Sequence, residues 1–177
     1  VTAVKVVTQI EDIPSQIRKT AESHDLPPSL VEAIVRVESA GEPWAMRYER
    51  GYRWLWDNEK KRPYRGDPDL ITPFIGSSAQ TELVGQKTSW GLMQIMGAVA
   101  REYGFRDPFL SSLCEPKHGL EYGCIHLVRL RDRFFSEHGW HGVAAAYNAG
   151  SPRYKAGNFI NQPYVDKIAA KGGFDDV

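Results

Sequence analysis

The sequence predicts a mainly α-helical domain, and three observations predict it. Apolar residues recur at helical spacing in six segments bounded by cap, proline and glycine signals. No run of alternating apolar and polar residues marks out a series of strands. The chain has 177 residues, 42% hydrophobic and 25% charged, which suits one globular domain with a sizeable core.

The elements follow in order. Residues 1–12, "VTAVKVVTQIED", read as an extended arm. Asp12 can cap a helix with Pro14 in its first turn, running to about His24. "LPPSLVEAIVRVES" begins a second helix, again with proline at its start. "WGLMQIMGAVAREYG" reads as a third, ending at Gly104. The longest is "EPKHGLEYGCIHLVRLRDRFFSEHG", with Leu120, Cys124, Leu127, Arg131 and Phe134 or Phe135 at helical spacing. "WHGVAAAYNAG" and "PYVDKIAAKG" complete the set.

From about residue 50 to 88 the helical period fades. Pro63, Pro68, Pro73, Gly66, Gly76 and Gly85 punctuate this stretch, and Tyr52, Trp54, Trp56, Tyr64 and Phe74 fill it. The aromatic content argues against disorder. We expect an ordered insertion with one or two short helices, inside a single domain spanning residues 1–177. Tyr48, Tyr52, Trp54 and Trp56 either stack on a ligand or dock the insertion on the core.

Charge and cysteine usage narrow the function. The formal net charge is zero, so nothing draws the whole chain to nucleic acid or anionic lipid. No apolar run is long enough to span a membrane, and no secretory signal stands at the start. Cys114 and Cys124 lie too far apart along a helix to pair, since each residue adds about 1.5 Å. We expect two free, buried thiols. His138 and His141 lack the carboxylate or cysteine that would complete a metal site, and no glycine-rich phosphate loop appears. We expect no metal, no cofactor and a monomer.

One carboxylate stands on an apolar face. Val31, Ile34, Val35 and Glu38 fall at i, i+3, i+4 and i+7 of the second helix. Burial would raise the pKa of Glu38, and a glutamic acid protonated near neutrality is a general acid. The alternative is that Glu38 ends its helix and reaches solvent. Trp140, Val143, Ala144 and Tyr147 form a similar row, which turns Tyr147 inward with a hydroxyl needing a partner. That partner is either a site group or a backbone carbonyl. Gln94, between Met93 and Met96, is the third polar group on an apolar surface, and one shared cleft explains all three.

These residues carry a resemblance. "ES" at Glu38-Ser39, "GLMQIM" at Gly91–Met96, "AAYNAG" at Ala145–Gly150 and "YV" at Tyr164-Val165 resemble, in order, the motif set of lytic transglycosylases related to the soluble lytic transglycosylase catalytic domain. Goose-type lysozymes share two of the motifs. The resemblance covers about residues 15 to 170, less the insertion. It implies a lysozyme-like α fold with a groove for a peptidoglycan strand, Glu38 as acid/base, and Tyr147 as the hydrogen-bond partner orienting its carboxyl. Gln94, Met96 and Asn148 would line the groove, and Tyr164 would help close it. The family's substrate-contacting serine falls where the insertion lies, and Ser89 is its candidate. The proline that commonly follows "QIM" is here Gly97.

The implied reaction cuts the bond between N-acetylmuramic acid and N-acetylglucosamine and leaves a 1,6-anhydro sugar. A goose-type hydrolase is the first alternative. It needs a second acid to hold water, and Asp57, Glu59, Asp67, Asp69 and Glu82 are available in the insertion. A wall-binding or virion module that kept the fold without the reaction is the second. The chain's action is expected in the bacterial periplasm or cell wall, reached as a processed secreted chain, a phage lysis enzyme or a virion part.

Overall fold

The structure is a computed structural model that describes residues 12–177. All of the expected arm but Asp12 lies outside the described residues. Asp12 caps α1 (Ile13–Ser23): its side chain accepts from the Ser15 amide, with Pro14 in the first turn. The α2 helix (Pro28–Glu38) opens on proline, where a missing N–H costs nothing. Its Leu30, Val31, Ala33, Ile34 and Val35 are buried. They meet Ile17 and Ala21 of α1, and Leu120, Cys124 and Leu127 of the long helix, in one core.

That long helix runs over Pro116–Ala149, but Gly139 (φ 59°, ψ −168°) breaks it into two, as the sequence predicts. Gly150 ends it in the left-handed region at φ 76°. The final helix, over Gln162–Ala170, packs on both α2 and the long helix. Cys114 and Cys124 are free and buried.

The expected third helix is a correction. Thr88–Trp90 and Ile95–Met96 are strands, and only Gly97–Glu102 is helical. The cause is the turn between the strands. Gly91 has φ 70° and Gln94 φ 48°, a left-handed conformation that a right-handed helix cannot contain. The two strands and Met46–Tyr48 make a three-stranded antiparallel sheet. Arg47 pairs with Ser89, and Ser89 with Met96. Counting in chain order, these strands are β1 (Met46–Tyr48), β4 (Thr88–Trp90) and β5 (Ile95–Met96).

The insertion is ordered. It holds the hairpin β2 (Trp56–Asp57) and β3 (Arg62–Pro63), a 3-10 turn at Pro68–Leu70, and α3 (Ala79–Gln86). A buried polar network ties it down. Glu82, 1% exposed, takes two hydrogen bonds from Arg101, each 2.8 Å. The same carboxylate accepts from Asn58 and Gln86. Arg101 also donates to the carbonyls of Phe105 and Asp107. Gln86 then grips the Trp56 backbone at both N (2.7 Å) and O (3.0 Å). A buried pair stabilises only when its remaining donors and acceptors are matched in this way. Gly97 shows why proline is absent there. A Cβ at that position would lie 2.1 Å from the Gly85 carbonyl of α3, so the helix Gly97–Glu102, which we label α4, meets the insertion only through a bare backbone.

Candidate active site

Glu38 is the last residue of α2. It lines an open cavity of about 390 Å³ together with Arg47, Glu49, Tyr52, Trp54, Ser89, Gln94, Met96, Tyr147 and Asn148. Six of the seven residues singled out from the sequence therefore face one space. The seventh, Tyr164, donates a hydrogen bond of 2.7 Å to Glu38 Oε1. Glu38 neither reaches free solvent nor is sealed in the core: it is half-buried at the wall of the cleft. Burial pushes its pKa above the ordinary value of 4.5, while the Tyr164 hydroxyl and the Arg47 charge pull the other way.

The hydrogen bond expected from Tyr147 to Glu38 is not made. Tyr147 donates instead to the Met93 carbonyl at 2.7 Å, the backbone-carbonyl alternative that the sequence left open. Tyr164 occupies the place beside the carboxylate. Tyr147 keeps its phenol neutral, because burial and the nearby Glu38 charge both raise its pKa. His126 packs against its ring at 5.3 Å and bonds to the Tyr103 hydroxyl. Burial lowers the His126 pKa to about 4, so the imidazole behind Tyr147 is uncharged at neutral pH.

Gln94 answers for its odd position with three bonds. Its amide nitrogen donates to Ala45 O and Gly91 O, each 3.0 Å. Its oxygen accepts from Ser89 Oγ at 2.9 Å. The side chain is a brace across the turn that also lines the cavity. Neighbouring elements fasten the same turn. Ser39 Oγ lies 2.8 Å from Leu92 O, and Gly91 N donates to Ala45 O at 2.8 Å. Gly123 leaves room for Met93, whose sulfur would lie 2.4 Å from a Cβ there. Asn148 Oδ1 accepts from Asn161, which holds the end of the long helix beside the cleft.

A family model described as Transglycosylase SLT domain matches residues 15–158. The chain belongs to this family. It is a lytic transglycosylase of the cell wall, a lyase acting on the peptidoglycan polysaccharide, with the lysozyme-like helical fold. No curated protein matches the chain significantly. In this transglycosylase no helix among the described residues is long and apolar enough to cross a membrane, and none of those residues form a group able to hold a metal ion. His138 lies against Tyr154, and His141 stacks on Phe174 at 3.9 Å.

The five acids of the insertion lie elsewhere in the transglycosylase. Glu82 is bound to Arg101. Asp57 accepts from the amides of Glu59 and Lys60, and Asp67 caps the 3-10 turn. Glu59 and Asp69 are exposed. None of the five lines the cavity. The sequence reading missed Arg47 and Glu49, which do. They stand two apart on β1 and its continuation, the spacing that puts both side chains on one face of a strand. Of the aromatics, Tyr52 and Trp54 line the cavity and meet edge to face at 5.7 Å. Tyr48 and Trp56 do not line it.

Proposed function

We propose that this transglycosylase cleaves the β-1,4 bond between N-acetylmuramic acid and N-acetylglucosamine, with Glu38 as the single acid/base. The protonated Glu38 donates its proton to the bridging oxygen as the bond to the anomeric carbon breaks. The resulting carboxylate takes the proton of the muramoyl 6-hydroxyl, whose oxygen closes on the anomeric carbon. A 1,6-anhydro sugar forms and no water is consumed. One carboxylate suffices because the nucleophile belongs to the substrate and is already in place.

The observation that carries this reading is the environment of Glu38. Burial favours its protonated form, and Tyr164 supports the carboxylate that follows. We assign Tyr164 the orienting role that the resemblance gave to Tyr147. Tyr147, Gln94 and Ser89 hold the hairpin turn in register with Glu38, while Met96, Asn148, Tyr52 and Trp54 touch the sugars. The 75% exposed Trp54 ring suits stacking on a sugar face.

A hydrolytic reading has one observation in its favour: Glu49 is a second carboxylate on the cavity wall. It is held by Arg47, which competes with any water for its oxygen. Mass spectrometry of digested sacculi separates the two. We expect anhydro-muropeptides from the wild type and from Glu49→Gln alike. Products heavier by one water from the wild type, lost in Glu49→Gln, would establish the hydrolase.

A further inference from the structure

Among the described residues the cleft holds one cation, and the proposed glycan reaction does not use it. Arg47 pairs with Ser89 across the sheet, and Ser89 with Met96. The three residues line the cavity that Glu38 lines. Arg47 Nε donates to Glu49 Oε1 at 2.5 Å. That bond uses one of the five guanidinium donors. Its two terminal amino groups have no acceptor among the described residues, and the side chain is 73% exposed. Glu49 therefore fixes the direction of the guanidinium and leaves its outer edge to a ligand. Apart from Glu38, Glu49 and Arg47 the cavity wall is neutral.

A sugar backbone of N-acetylated hexoses is neutral too. The charge nearest the rings of a wall glycan lies on the muramoyl substituent: the lactyl carboxylate where that ether carries no peptide, and a carboxylate of the stem peptide where the lactyl group is amidated. A planar guanidinium fork matches a carboxylate with two parallel N–H bonds. We infer that Arg47, oriented by Glu49, is a specificity-determining residue that binds the carboxylate borne by the muramoyl substituent. It sets the sugar that occupies the cleft beside Glu38. The inference rests on the glycan-cleaving reading of the same site. Arg47 as mere electrostatic company for Glu38 makes a different demand: it would treat charged and neutral glycans alike.

Binding decides it. The parent is Glu38→Gln, which stops turnover. The probes are a stem-free oligomer of alternating N-acetylglucosamine and N-acetylmuramic acid, and the same oligomer with every lactyl carboxylate converted to its methylamide. Calorimetric titration of the parent should show the charged oligomer binding about tenfold tighter, the scale of a partly exposed charge-assisted pair. High salt should narrow the gap. Adding Arg47→Gln should abolish the difference by weakening only the charged oligomer, and Arg47→Lys should restore part of it. Equal binding of both oligomers to the parent overturns the inference and leaves the glycan reading intact. A preference that survives Arg47→Gln also overturns it. Failure of the parent to bind either oligomer counts against the glycan reading itself, and the inference falls with it.

Discussion

Tyr164→Phe removes a single hydroxyl and leaves the ring that packs against the core. The lost bond is the 2.7 Å contact to Glu38 Oε1. Its value to the reaction is a difference between two states. Before proton transfer the hydroxyl donates to a neutral carboxyl, worth about 0.5–1.5 kcal/mol. As the proton leaves, it donates to a developing carboxylate, worth about 1.5–3 kcal/mol. Only the excess lowers the barrier, so about 1–1.5 kcal/mol is forfeited, or roughly tenfold in kcat. The same bond pulls the Glu38 pKa down against the effect of burial, so the variant's pKa lies higher. A general acid works while protonated, and its activity falls as pH rises through its pKa. Tyr164→Phe should therefore be slower at the optimum, with its alkaline limb displaced to higher pH. Initial rates of muropeptide release from sacculi, taken across pH, measure both. An unchanged kcat, or a limb that stays in place or moves down, would refute the assignment of Tyr164.

Glu38→Gln should fold normally and lose lytic activity by a factor of about a hundred or more, read by circular dichroism and sacculus turbidity. It should also gain stability with pH. The folded-state pKa of Glu38 is raised, so the stability it contributes is complete below its unfolded value and is lost as pH rises through the folded value. The variant should melt with the wild type near pH 3 and above it near pH 8. Glu82→Gln leaves Arg101 buried without its charge partner, and should cost about 3–5 kcal/mol of stability in denaturant titrations; a midpoint like that of the wild type would mean that the insertion docks by other contacts. Tyr147→Phe leaves the Met93 carbonyl short of a donor, and should cost about 1 kcal/mol and slow turnover while leaving the pH limb where it was; a shifted limb would mean direct action on Glu38.

The helical scaffold and Glu38 were legible because their signals are local and long. Four positions of one face over about two turns of α2 place the carboxylate, and proline and glycine mark the helix ends. The hairpin was not legible. Its strands are three and two residues long, too short to show a period, and the apolar letters of "GLMQIM" suit a helix equally well. What decides it is the positive φ of Gln94, which composition does not favour and which three side-chain bonds hold in place. Arg47 and Glu49 were missed for the same reason. A strand of three residues gives no alternation to read, and its relation to Glu38 is set by pairing with β4, across the insertion. The partner of Glu38 was assigned to the wrong tyrosine because both Tyr147 and Tyr164 turn inward; which hydroxyl meets the carboxylate depends on how the last helix seats against α2.

The short motifs of the chain are parts of one knot. Ser39, beside the acid, lies against the carbonyl of Leu92. Tyr147 donates to the carbonyl of Met93. Gln94 bonds within its own turn and to the carbonyl of Ala45, just before β1. Three motifs from α2, the hairpin and the long helix thus converge on four consecutive residues of backbone, where Gly91 also approaches Leu113 so closely that a Cβ would lie 2.4 Å from its carbonyl. A turn held from three sides cannot shift without moving the end of α2, and Glu38 is that end. Ser39, Tyr147 and Gln94 thus each put a hydrogen bond into this turn, and on the proposed reading they fix one carboxyl against one cleft. The insertion extends the logic. Its acids are spent on Arg101, on backbone amides or on solvent, while Gln86 clasps Trp56 and so sets the stretch that carries Tyr52 and Trp54 over the cavity. A buried polar clamp on one side and a knotted turn on the other leave Glu38, Glu49 and Arg47 as the charged groups lining the cavity between them, and burial draws Glu38 toward its protonated form.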